Sequence, residues 1–387
     1  REQRIEDIPY NISAVDGQAI ADQNVIDTAE LMRSISGVSV IARGFRNAGH
    51  VNSLVIRGVN VDNGVNGDIP LSAAATVATY VDNTPLFANF LLKDIQRVEV
   101  LRGPQGTLYG SSALGGTVRY IMNRPDASGF DASVGVTYGQ TEHSDGNNVG
   151  LDGMVNIPLG EKAAFRLSAG SVQNDGVVDY VNLYQVQDGK PVIENDAGEC
   201  VSVIDPSLTN DEIAFNGSCY WSKKDADDVD IRYARASLRF EPTDTFDIQL
   251  NYQWQEDEIG ARRTITEGAD YNQLAYNGKD QSGSSMLEPS DREATLVNMD
   301  IAWDLGFATL TSSTSSYEHA GDGWRDNSSL WVTGRDWFNA WYTGNPRPVA
   351  HVVAGFDEEA IVQEFRLVSN ATDSAIDWTV GVYYMDQ

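Results

Sequence analysis

The chain contains 387 residues with 56 acidic and 27 basic side chains, and its net charge of -29 excludes nucleic acid as a natural partner. No segment reaches the ~20 consecutive apolar residues of a membrane-spanning helix, and residues 1–7 lack the charged start and apolar stretch of a secretion signal. If this chain enters a membrane, it must therefore do so with β-strands.

The first 125 residues predict a small mixed α/β unit. Helical spacing of apolar residues covers 25–35, with Thr28 as a possible cap, and short strands follow at 38–41, 53–57, 79–81, 96–101 and 116–122. The connections at 43–52, 60–75 and 85–92 are long and rich in Asn, Gly, Asp and Ala. Because long loops in a compact unit usually carry function, we expect binding residues there.

From Gly129 onward, apolar and polar residues alternate with a period of two, most clearly over 246–255. Phe246 and Leu250 would share one face of a strand, and Asp247 would lie on the other. The alternation predicts nine strands, most of them close to the ~10 residues that cross a bilayer at a tilt. They lie near 130–139, 149–158, 163–173, 231–240, 246–255, 294–303, 307–317, 359–369 and 376–385.

The connections between these strands alternate in length. They are short at 159–162, 241–245, 304–306 and 370–375, and long at 174–230, 256–293 and 318–358. Short turns on one side and long loops on the other are typical of an outer-membrane β-barrel. A soluble sandwich with three large insertions would give the same spacing and stays an alternative. Because nine strands cannot close such a barrel, we expect an incomplete barrel and a longer natural protein.

Cys200 and Cys219 are the only cysteines, and they stand in a stretch rich in Asn, Asp, Gly and Ser. An isolated pair that closes a short polar loop suggests a disulfide formed in an oxidising compartment. On the chain-entropy model, such a bond adds about 3 kcal/mol of stability. Two reduced cysteines in a cytosolic loop are the alternative.

Several motifs carry a family resemblance. The longest runs from Asp94 to Pro125 and reads DIQRVEVLRGPQGTLYGSSALGGTVRYIMNRP, and shorter ones lie at 8–13 (IPYNIS), 55–58 (VIRG) and 80–83 (YVDN, with Asn replacing a family glycine). They closely resemble the plug domain of TonB-dependent receptors, and 362–369 (VQEFRLVS) resembles a barrel strand of that family. The resemblance implies an α+β plug domain over 1–125 and, over 126–387, the N-terminal portion of an antiparallel transmembrane β-barrel. Full-length members of the family close a barrel of 22 strands.

The resemblance also implies a function, which is active uptake of a scarce nutrient across the outer membrane of a Gram-negative bacterium. The expected partners are TonB with its inner-membrane energising complex, outer-membrane lipid and a small-molecule substrate. TonB would grip a short segment just before Arg1. We expect a ferric siderophore or other iron complex as the substrate. One alternative is a glycan or other organic carbon source, on which four tryptophans could stack, namely Trp324, Trp331, Trp337 and Trp341. A ligand-sensing signalling receptor and a soluble β-rich domain are further alternatives.

Two groups of site residues are expected. The long loops of the first 125 residues offer donors, acceptors and aromatic surface of the kind that ligand pockets combine. The expected substrate-binding residues are Arg46, Asn47, His50, Asp62, Asn63, Asp68, Phe87 and Phe90. The resemblance further implies that Arg57 and Arg102 hold the plug by pairing with barrel-wall carboxylates, for which Glu364 is a candidate. Arginines that are merely solvated at strand ends are the alternative.

Enzyme and metal chemistry find little support in the sequence. The acidic run Asp225, Asp227, Asp228 and Asp230 lacks the spacing and central glycine of an EF-hand, so we expect solvated loop charges there. The four histidines form no metal-binding pair, and residues 110–114 (GSSAL) lack the final glycine of a nucleophile elbow. We therefore expect no catalytic residue, no metal ion and no cofactor.

Overall fold

Two β-sheets carry most of the fold, one of five strands near the N-terminus and one of nine strands farther along the chain. The computed structural model describes residues 11–23, 25, 27–41, 53–58, 77–85, 90–104, 113–184, 186–187, 190–194, 200–202, 220–269, 275–276, 278, 280–327, 351–370 and 376–387. Within these ranges, no helix is both long enough and apolar enough to cross a membrane.

The N-terminal unit, defined here as the described residues between 11 and 122, contains the five-stranded sheet. Its elements are β1 (Asn11–Asp16), α1 (Gly17–Asp22), α2 (Thr28–Arg33), β2 (Val38–Ile41), β3 (Ser53–Ile56), β4 (Val77–Val81), β5 (Thr84–Pro85), β6 (Ile95–Arg102) and β7 (Gly116–Met122). The sheet order is β1-β6-β7-β4-β5, with β4 and β7 parallel and the other neighbours antiparallel, and β2 pairs separately with β3. The predicted mixed α/β character and its five short strands are confirmed.

Aspartates begin both helices of the N-terminal unit. Asp16 accepts a hydrogen bond from the N–H of Gln18, and Asp27 accepts one from the N–H of Ala29. A side-chain acceptor at this position satisfies a backbone donor that the first turn leaves without a helical partner. Thr28, predicted as a possible cap, is instead the first helical residue, because Asp27 occupies the extended cap position. The Thr28 hydroxyl is buried and lies 3.3 Å from the hydroxyl of Tyr120.

The remaining strands follow in chain order. They are β8 (Asp131–Gly139), β9 (Asn148–Pro158), β10 (Ala163–Asn174), β11 (Asp179–Tyr184), β12 (Val186–Gln187), β13 (Lys190–Glu194), β14 (Cys200–Ser202), β15 (Tyr220–Lys223), β16 (Val229–Thr243), β17 (Phe246–Ile259), β18 (Gly268–Ala269), β19 (Ala275–Tyr276), β20 (Gln281–Ser282), β21 (Ser290–Asp304), β22 (Ala308–Asp326), β23 (His351–Ser369) and β24 (Thr379–Asp386).

Nine of these strands form one antiparallel sheet, called the wall below, with the order β24-β23-β22-β21-β17-β16-β10-β9-β8. Each strand pairs with its neighbours along the chain, apart from the short strands inserted in the long connections. All nine strands predicted from the alternation are present, so the predicted antiparallel, incomplete barrel is confirmed as the fold class.

The wall reverses the usual distribution of polar and apolar side chains. On β17, Leu250 and Tyr252 point away from the N-terminal unit and are 47% and 44% exposed, whereas Gln253 and Gln255 on the other face are buried. An apolar outer face and a polar inner face are the pattern of a strand that meets lipid on one side. The face with the buried polar residues is called inward below.

Several wall strands are longer than the alternation predicted. β17 continues to Ile259 and β21 begins at Ser290, and the added outward positions carry acids, including Glu256, Glu258 and Asp291. The period of two continues through these positions, but the outward side changes from apolar to charged. An apolar pattern therefore marks only the part of each strand that suits lipid.

The long connections contain structure of their own. A three-stranded sheet, β15-β11-β20, joins the connection after β10 to the connection after β17. Beneath it, Tyr180, Leu183 and Ala261 belong to a separate apolar cluster. Tyr180 donates a hydrogen bond to buried Glu288 at 3.0 Å, and burial raises the pKa of that carboxyl group. The sequence predicts loops in both connections, because β11, β15 and β20 are too short to show periodicity.

The apolar core of the N-terminal unit does not stop at its own surface. Ile56, Val98 and Val118 are fully buried, and the same cluster extends to inward residues of β21, β22 and β23. These wall residues are Ala294, Leu296, Tyr317 and Ala360. The wall therefore completes the core of the N-terminal unit.

A charge in the outward apolar band tests the orientation of the wall. Leu250→Arg should lower the unfolding free energy by about 2–4 kcal/mol, because Leu250 lies midway along the outward apolar run of β17. Asp322→Arg is the control. Asp322 also points outward, but it lies near the end of β22 where the outward positions are charged, so this substitution should cost far less. Urea titrations of the intact protein in lipid vesicles measure both. Equal losses would contradict the assignment of the lipid-facing band.

Close backbone packing in the N-terminal unit gives a second test. A Cβ atom on Gly116 would lie 2.3 Å from the carbonyl oxygen of Leu101, so Gly116→Ala should force β6 and β7 apart and cost about 1–3 kcal/mol. Gly129 has open space around its Cα, and Gly129→Ala is the matched control. Thermal unfolding should show a lower midpoint for Gly116→Ala alone. An unchanged midpoint would show that β6 and β7 can move apart enough to admit the methyl group without loss of stability.

Candidate functional site between the N-terminal unit and the wall

Asp94, the residue just before β6, connects the N-terminal unit to two arginines of the wall. Its carboxylate accepts hydrogen bonds from Nε of Arg166 at 2.9 and 3.1 Å and from Nη2 at 2.5 Å. Nη1 of Arg235 lies 3.5 Å from the same carboxylate. The three side chains are 5%, 11% and 5% exposed, so water screens this cluster little. Forked, charge-assisted bonds of this kind are strong and directional. We call these residues the Asp94 anchor.

The strand register brings the two arginines together. Arg166 on β10 pairs with Ser237 on β16, and Ser168 pairs with Arg235. The arginines therefore lie two positions apart on neighbouring strands, both on the inward side that the alternation assigns to polar residues. Neither position can face lipid without changing the register of the whole strand.

The end of β7 joins the same cluster. Asn123 donates from Nδ2 to Asp94 at 2.9 Å, and Arg235 donates to the Asn123 carbonyl oxygen at 3.0 Å. Nearby, Asp82 accepts the N–H of Met122 at 3.0 Å. Burial raises the pKa of Asp82, while the positive charge of Arg235 and this hydrogen bond oppose the shift. Asp94 thus contacts both guanidinium groups, and Asp82 lies close enough to Arg235 for their charges to interact.

The residues before Asp94 extend the contact along the wall. Lys93 pairs with Asp152 of β9 at 2.8 Å, and the N–H of Leu91 donates to Gln255 of β17 at 2.8 Å. Residues 91–94 therefore contact four wall strands, namely β9, β10, β16 and β17. This short segment holds the N-terminal unit on one part of the wall.

An uncharged network continues from the anchor across the inward face. Gln249 and Ser237 donate to the side-chain oxygen of Asn251 at 2.8 Å each, and Asn251 donates to Asn298 at 2.8 Å. Asn298 then donates to the hydroxyl of Ser313 at 3.3 Å. All five side chains are buried. Amide and hydroxyl groups can exchange such partners for water, so this face can stay polar without fixed ion pairs.

A cavity of about 110 Å³ lies beside this network, between the N-terminal unit and the wall. Asn83 of the N-terminal unit donates to Asp300 at 3.1 Å, and Arg124 lies 3.5 Å from Asp247. The space is large enough for several water molecules. Its lining consists of Asn83, Arg124, Asp247, Gln249, Asp300, Ile301, Ala302, Thr311, Ser312, Ser313, Glu364 and Arg366.

Among the described contacts, Glu364 is not the partner of Arg57 or Arg102, and pairing of these arginines with other barrel-wall carboxylates stays a prediction. Arg102 donates to the carbonyl oxygen of Ser36 at 2.6 Å and to the hydroxyl of Ser13 at 2.7 Å, both within the N-terminal unit. The exposed Arg57 lies beside Gly103, and Glu364 pairs with Arg366 of its own strand at 2.6 Å.

The Asp94 anchor has the opposite polarity to the predicted pairing, since the wall supplies the arginines and the N-terminal unit supplies the carboxylate. The sequence did contain a signal for these partners. Arg166 and Arg235 occupy polar, inward positions of predicted strands, and Asp94 opens the longest motif. What the sequence lacks is the position of the motif against the wall.

Most of the predicted substrate-binding residues lie outside the described residues, namely Arg46, Asn47, His50, Asp62, Asn63, Asp68 and Phe87. Phe90 is described, and it is partly buried against the core of the N-terminal unit, where its ring packs with apolar side chains. Cys219 also lies outside the described residues, so the disulfide with Cys200 stays a prediction.

The acidic run after β15 differs from the solvated charges that were expected. Asp227 is fully buried, accepts the N–H groups of Val177 and Val178 at 2.6 and 2.8 Å, and pairs with Arg263 at 2.7 Å. Asp228 pairs with Lys223 at 3.2 Å. These carboxylates organise the connection between β10 and β16, and the described residues contain no group of three side chains suited to a metal ion.

The sequence comparisons concern mainly the N-terminal unit. Residues 4–117 match the family model of the TonB-dependent receptor plug domain. The pesticin receptor of Yersinia pestis is 34% identical over 125 residues, covering 30% of this chain and 17% of the relative. The vitamin B12 transporter BtuB of Vibrio cholerae is 28% identical over 169 residues, covering 42% and 26%.

The structural comparisons extend over the wall. The ferric yersiniabactin uptake receptor FyuA of Yersinia pestis superposes with a TM-score of 0.64 at 16% identity, covering 97% of this chain and 48% of the receptor. The ferric enterobactin receptor PfeA of Pseudomonas aeruginosa gives a TM-score of 0.58 at 14% identity, covering 98% and 49%. At these identities the likeness concerns the fold, and the chain spans about half the length of these receptors.

Removal of the anchor carboxylate tests its energetic weight. Asp94→Asn keeps the shape of the side chain but leaves Arg166 and Arg235 buried without that charge, and should cost about 3–5 kcal/mol of unfolding free energy. Arg124→Gln is the matched control. Its partner lies 3.5 Å away and its side chain is 57% exposed, so the loss should stay within about 1 kcal/mol. Chemical unfolding of the intact protein measures both, and similar losses would contradict a special role for the anchor.

Proposed function

Because the chain belongs to the TonB-dependent receptors of the Gram-negative outer membrane, we propose that it takes part in active uptake of a scarce nutrient. The N-terminal unit is the plug of such a receptor, and the wall is the first part of its barrel. The observation that carries the proposal is the polar part of the interface between them, with its ion pairs, its amide network and its cavity of about 110 Å³. A plug that had only to seal the barrel could pack against an apolar wall, whereas one that must move benefits from contacts that water can replace.

We infer that the two ends of the wall have different roles. The long connections of the wall, including the β15-β11-β20 sheet, would face outward, and the short turns would face the periplasm. Substrate would bind at the outward loops of the plug, within 43–52, 60–75 and 85–92, together with the long connections. TonB would supply the work that shifts the plug. The plug would extend to about residue 125 and the barrel would begin there.

We propose an iron complex, such as a ferric siderophore, as the substrate. The support is that several similar proteins carry names from iron uptake, including the iron-regulated outer membrane virulence protein of Vibrio cholerae, at 26% identity over 181 residues. The vitamin B12 transporter BtuB is also similar to this chain, so a related sequence accompanies vitamin B12 transport as well. Cobalamin is therefore the first competing substrate.

Uptake of a glycan or other organic carbon source is the second candidate. Trp324 lies at the end of β22 and stacks on His351, with ring centroids 5.3 Å apart and planes inclined by 14°. Such a flat surface at the end of the wall suits a sugar ring. Trp331, Trp337 and Trp341 lie outside the described residues. A role in ligand sensing would need a signalling domain and stays a further alternative.

Binding to a defined panel tests the substrate class. The intact, detergent-solubilised receptor is titrated with ferric yersiniabactin, ferric enterobactin, cobalamin, haem and oligosaccharides while thermal unfolding is followed. We expect a higher unfolding midpoint with one ferric complex and none with its metal-free form, because a ligand that binds only the folded state stabilises it.

Two variants locate the site in the same assay. Arg46→Ala in the outward plug loops should remove the shift, while Arg124→Ala at the turn end of the wall should leave it unchanged. Stabilisation by an oligosaccharide alone would replace the iron proposal with the glycan proposal. Stabilisation by cobalamin alone would assign vitamin transport.

A further inference from the structure

We propose that Glu288 is a pH-dependent latch for two long connections of the wall. With a protonated, uncharged carboxyl group it holds the β15-β11-β20 sheet together, and loss of its proton loosens both connections at once. The two are the β10–β16 connection, over 175–228, and the β17–β21 connection, over 260–289. The inference goes beyond the proposed uptake function, because a proton, and not the substrate, operates the latch.

Glu288 lies where three segments of the chain meet, and its side chain is buried. It belongs to the β17–β21 connection. One of its carboxyl oxygens, Oε2, lies 3.0 Å from the hydroxyl of Tyr180 on β11, in the β10–β16 connection. The other, Oε1, accepts the N–H of Asp326 at the end of β22, at 2.9 Å. A single buried side chain therefore joins both connections and a wall strand.

The hydroxyl of Tyr180 has one proton and two acceptor oxygens within reach. The carbonyl oxygen of Arg262 lies 2.6 Å away, and the carboxyl group of Glu288 lies 3.0 Å away. An ionised Glu288 can only accept, so Tyr180 then donates to one of the two oxygens and not to the other. A protonated Glu288 donates to the hydroxyl, and Tyr180 keeps its own proton for Arg262. Both contacts are hydrogen bonds only when the carboxyl group is protonated.

The groups around Glu288 act on its proton in opposite directions. Burial raises the pKa of Glu288, and the neighbouring Asp326 carboxylate adds to the rise, whereas the Asp326 N–H, the charge of Arg262 and the Tyr180 hydroxyl lower it. Burial has the largest effect, so the folded protein holds this proton more tightly than an exposed glutamate does. Tyr180 keeps its proton as well, because burial raises the pKa of its hydroxyl group.

Backbone hydrogen bonds beside the latch join the same two connections. The N–H of Asp179 donates to the carbonyl oxygen of Asp280 at 2.9 Å, and the N–H of Tyr184 donates to that of Ser285 at 2.8 Å. Tyr180 lies between these two bonds along β11. Opening of the sheet must break all of them, so the two connections should open as one cooperative unit.

Two ion pairs add to the charged groups of the sheet. Arg263 of the β17–β21 connection pairs with buried Asp227 at 2.7 Å, and Lys223 pairs with Asp228 at 3.2 Å. The Asp228 side chain is 47% exposed. Asp228→Asn therefore removes a carboxylate from the β10–β16 connection without burying or exposing one, and it is the matched control for Glu288.

The latch fixes the direction of a pH effect. In the open sheet Glu288 meets water and titrates as an ordinary glutamate, whereas the closed sheet holds the proton to higher pH because the pKa is raised. Opening therefore releases a proton, and a rise in pH favours opening. The stability of the sheet is complete below the pKa of the open form. It is lost as the pH rises to the pKa of the closed form, by up to about tenfold in the opening equilibrium per pH unit.

The latch would matter for a ligand that contacts both connections, which face outward under the proposed function. A surface that is already ordered loses less conformational freedom when a ligand binds. Such a ligand would therefore bind more tightly at the lower pH. This consequence rests on the proposed function, whereas the latch itself does not.

Hydrogen exchange of the intact protein in lipid vesicles tests the latch between about pH 5 and about pH 8, with rates corrected for the intrinsic pH dependence of exchange. Peptides containing Tyr184 report on one connection and peptides containing Thr266 on the other, since both N–H groups are hydrogen-bonded. We expect protection to fall with rising pH at the same slope in both. Glu288→Gln keeps a donor without a charge, and its protection should not depend on pH. Asp228→Asn should keep the slope of the unchanged protein.

Infrared spectroscopy detects the proton itself. At about pH 6, where an exposed glutamate is ionised, the unchanged protein should show a protonated carboxyl band that Glu288→Gln lacks. Identical carboxyl bands in the two proteins would overturn the latch.

Three exchange results would also overturn it. A protection curve that is flat with pH in the unchanged protein would do so even if Glu288→Gln failed to fold. A slope that survives in Glu288→Gln would assign the titration to another group, and different slopes in the two connections would show that they open separately. None of these measurements uses a substrate, so failure of the latch would leave the uptake function standing.

Discussion

The structure depends on one constraint, which is that a wall facing lipid must keep its polar side chains on the inside and give them partners there. Arg166 and Arg235 could not be buried at inward positions without a compensating carboxylate, and Asp94 supplies it from the neighbouring unit. The amide network from Gln249 to Ser313 meets the same need without charge. The N-terminal unit therefore supplies a hydrogen-bonding partner to wall arginines that would otherwise be buried without one.

The same constraint explains how the parts fit together. The N-terminal unit brings its polar strand ends to β9, β10 and β16 and its apolar core to β21, β22 and β23. The charged hydrogen bonds to β9, β10 and β16 are directional, whereas the apolar contacts with β21, β22 and β23 are not. The interface therefore combines contacts of fixed geometry with contacts that tolerate small displacements.

Much of this fold can be predicted from the sequence, since alternation with period two is a strong signal when one face meets lipid. The nine wall strands follow from residues such as Phe246, Ile248 and Leu250, and the plug follows from the motif that begins at Asp94. The strand ends were missed because Glu256 and Asp291 continue the period without apolar character.

The contacts of the site were harder to predict, for a physical reason. Arg102 donates hydrogen bonds to Ser13 and Ser36. The bond to Ser13 forms because β1 lies against β6, which is a contact between distant parts of the chain. Register and docking between sheets are set by the whole fold, so a motif can indicate that arginines matter without indicating which partner each one finds.

The small sheet on the long connections has a consequence for variation among receptors. Its middle strand, β11, pairs with β15 from the same connection and with β20 from the next one, where Tyr180 faces Ser282 in parallel register. The two connections therefore form one composite surface and cannot change independently. A graft that moved only the first of them into a related chain would lose the pairing of β11 with β20, so both segments would have to be transferred as a unit.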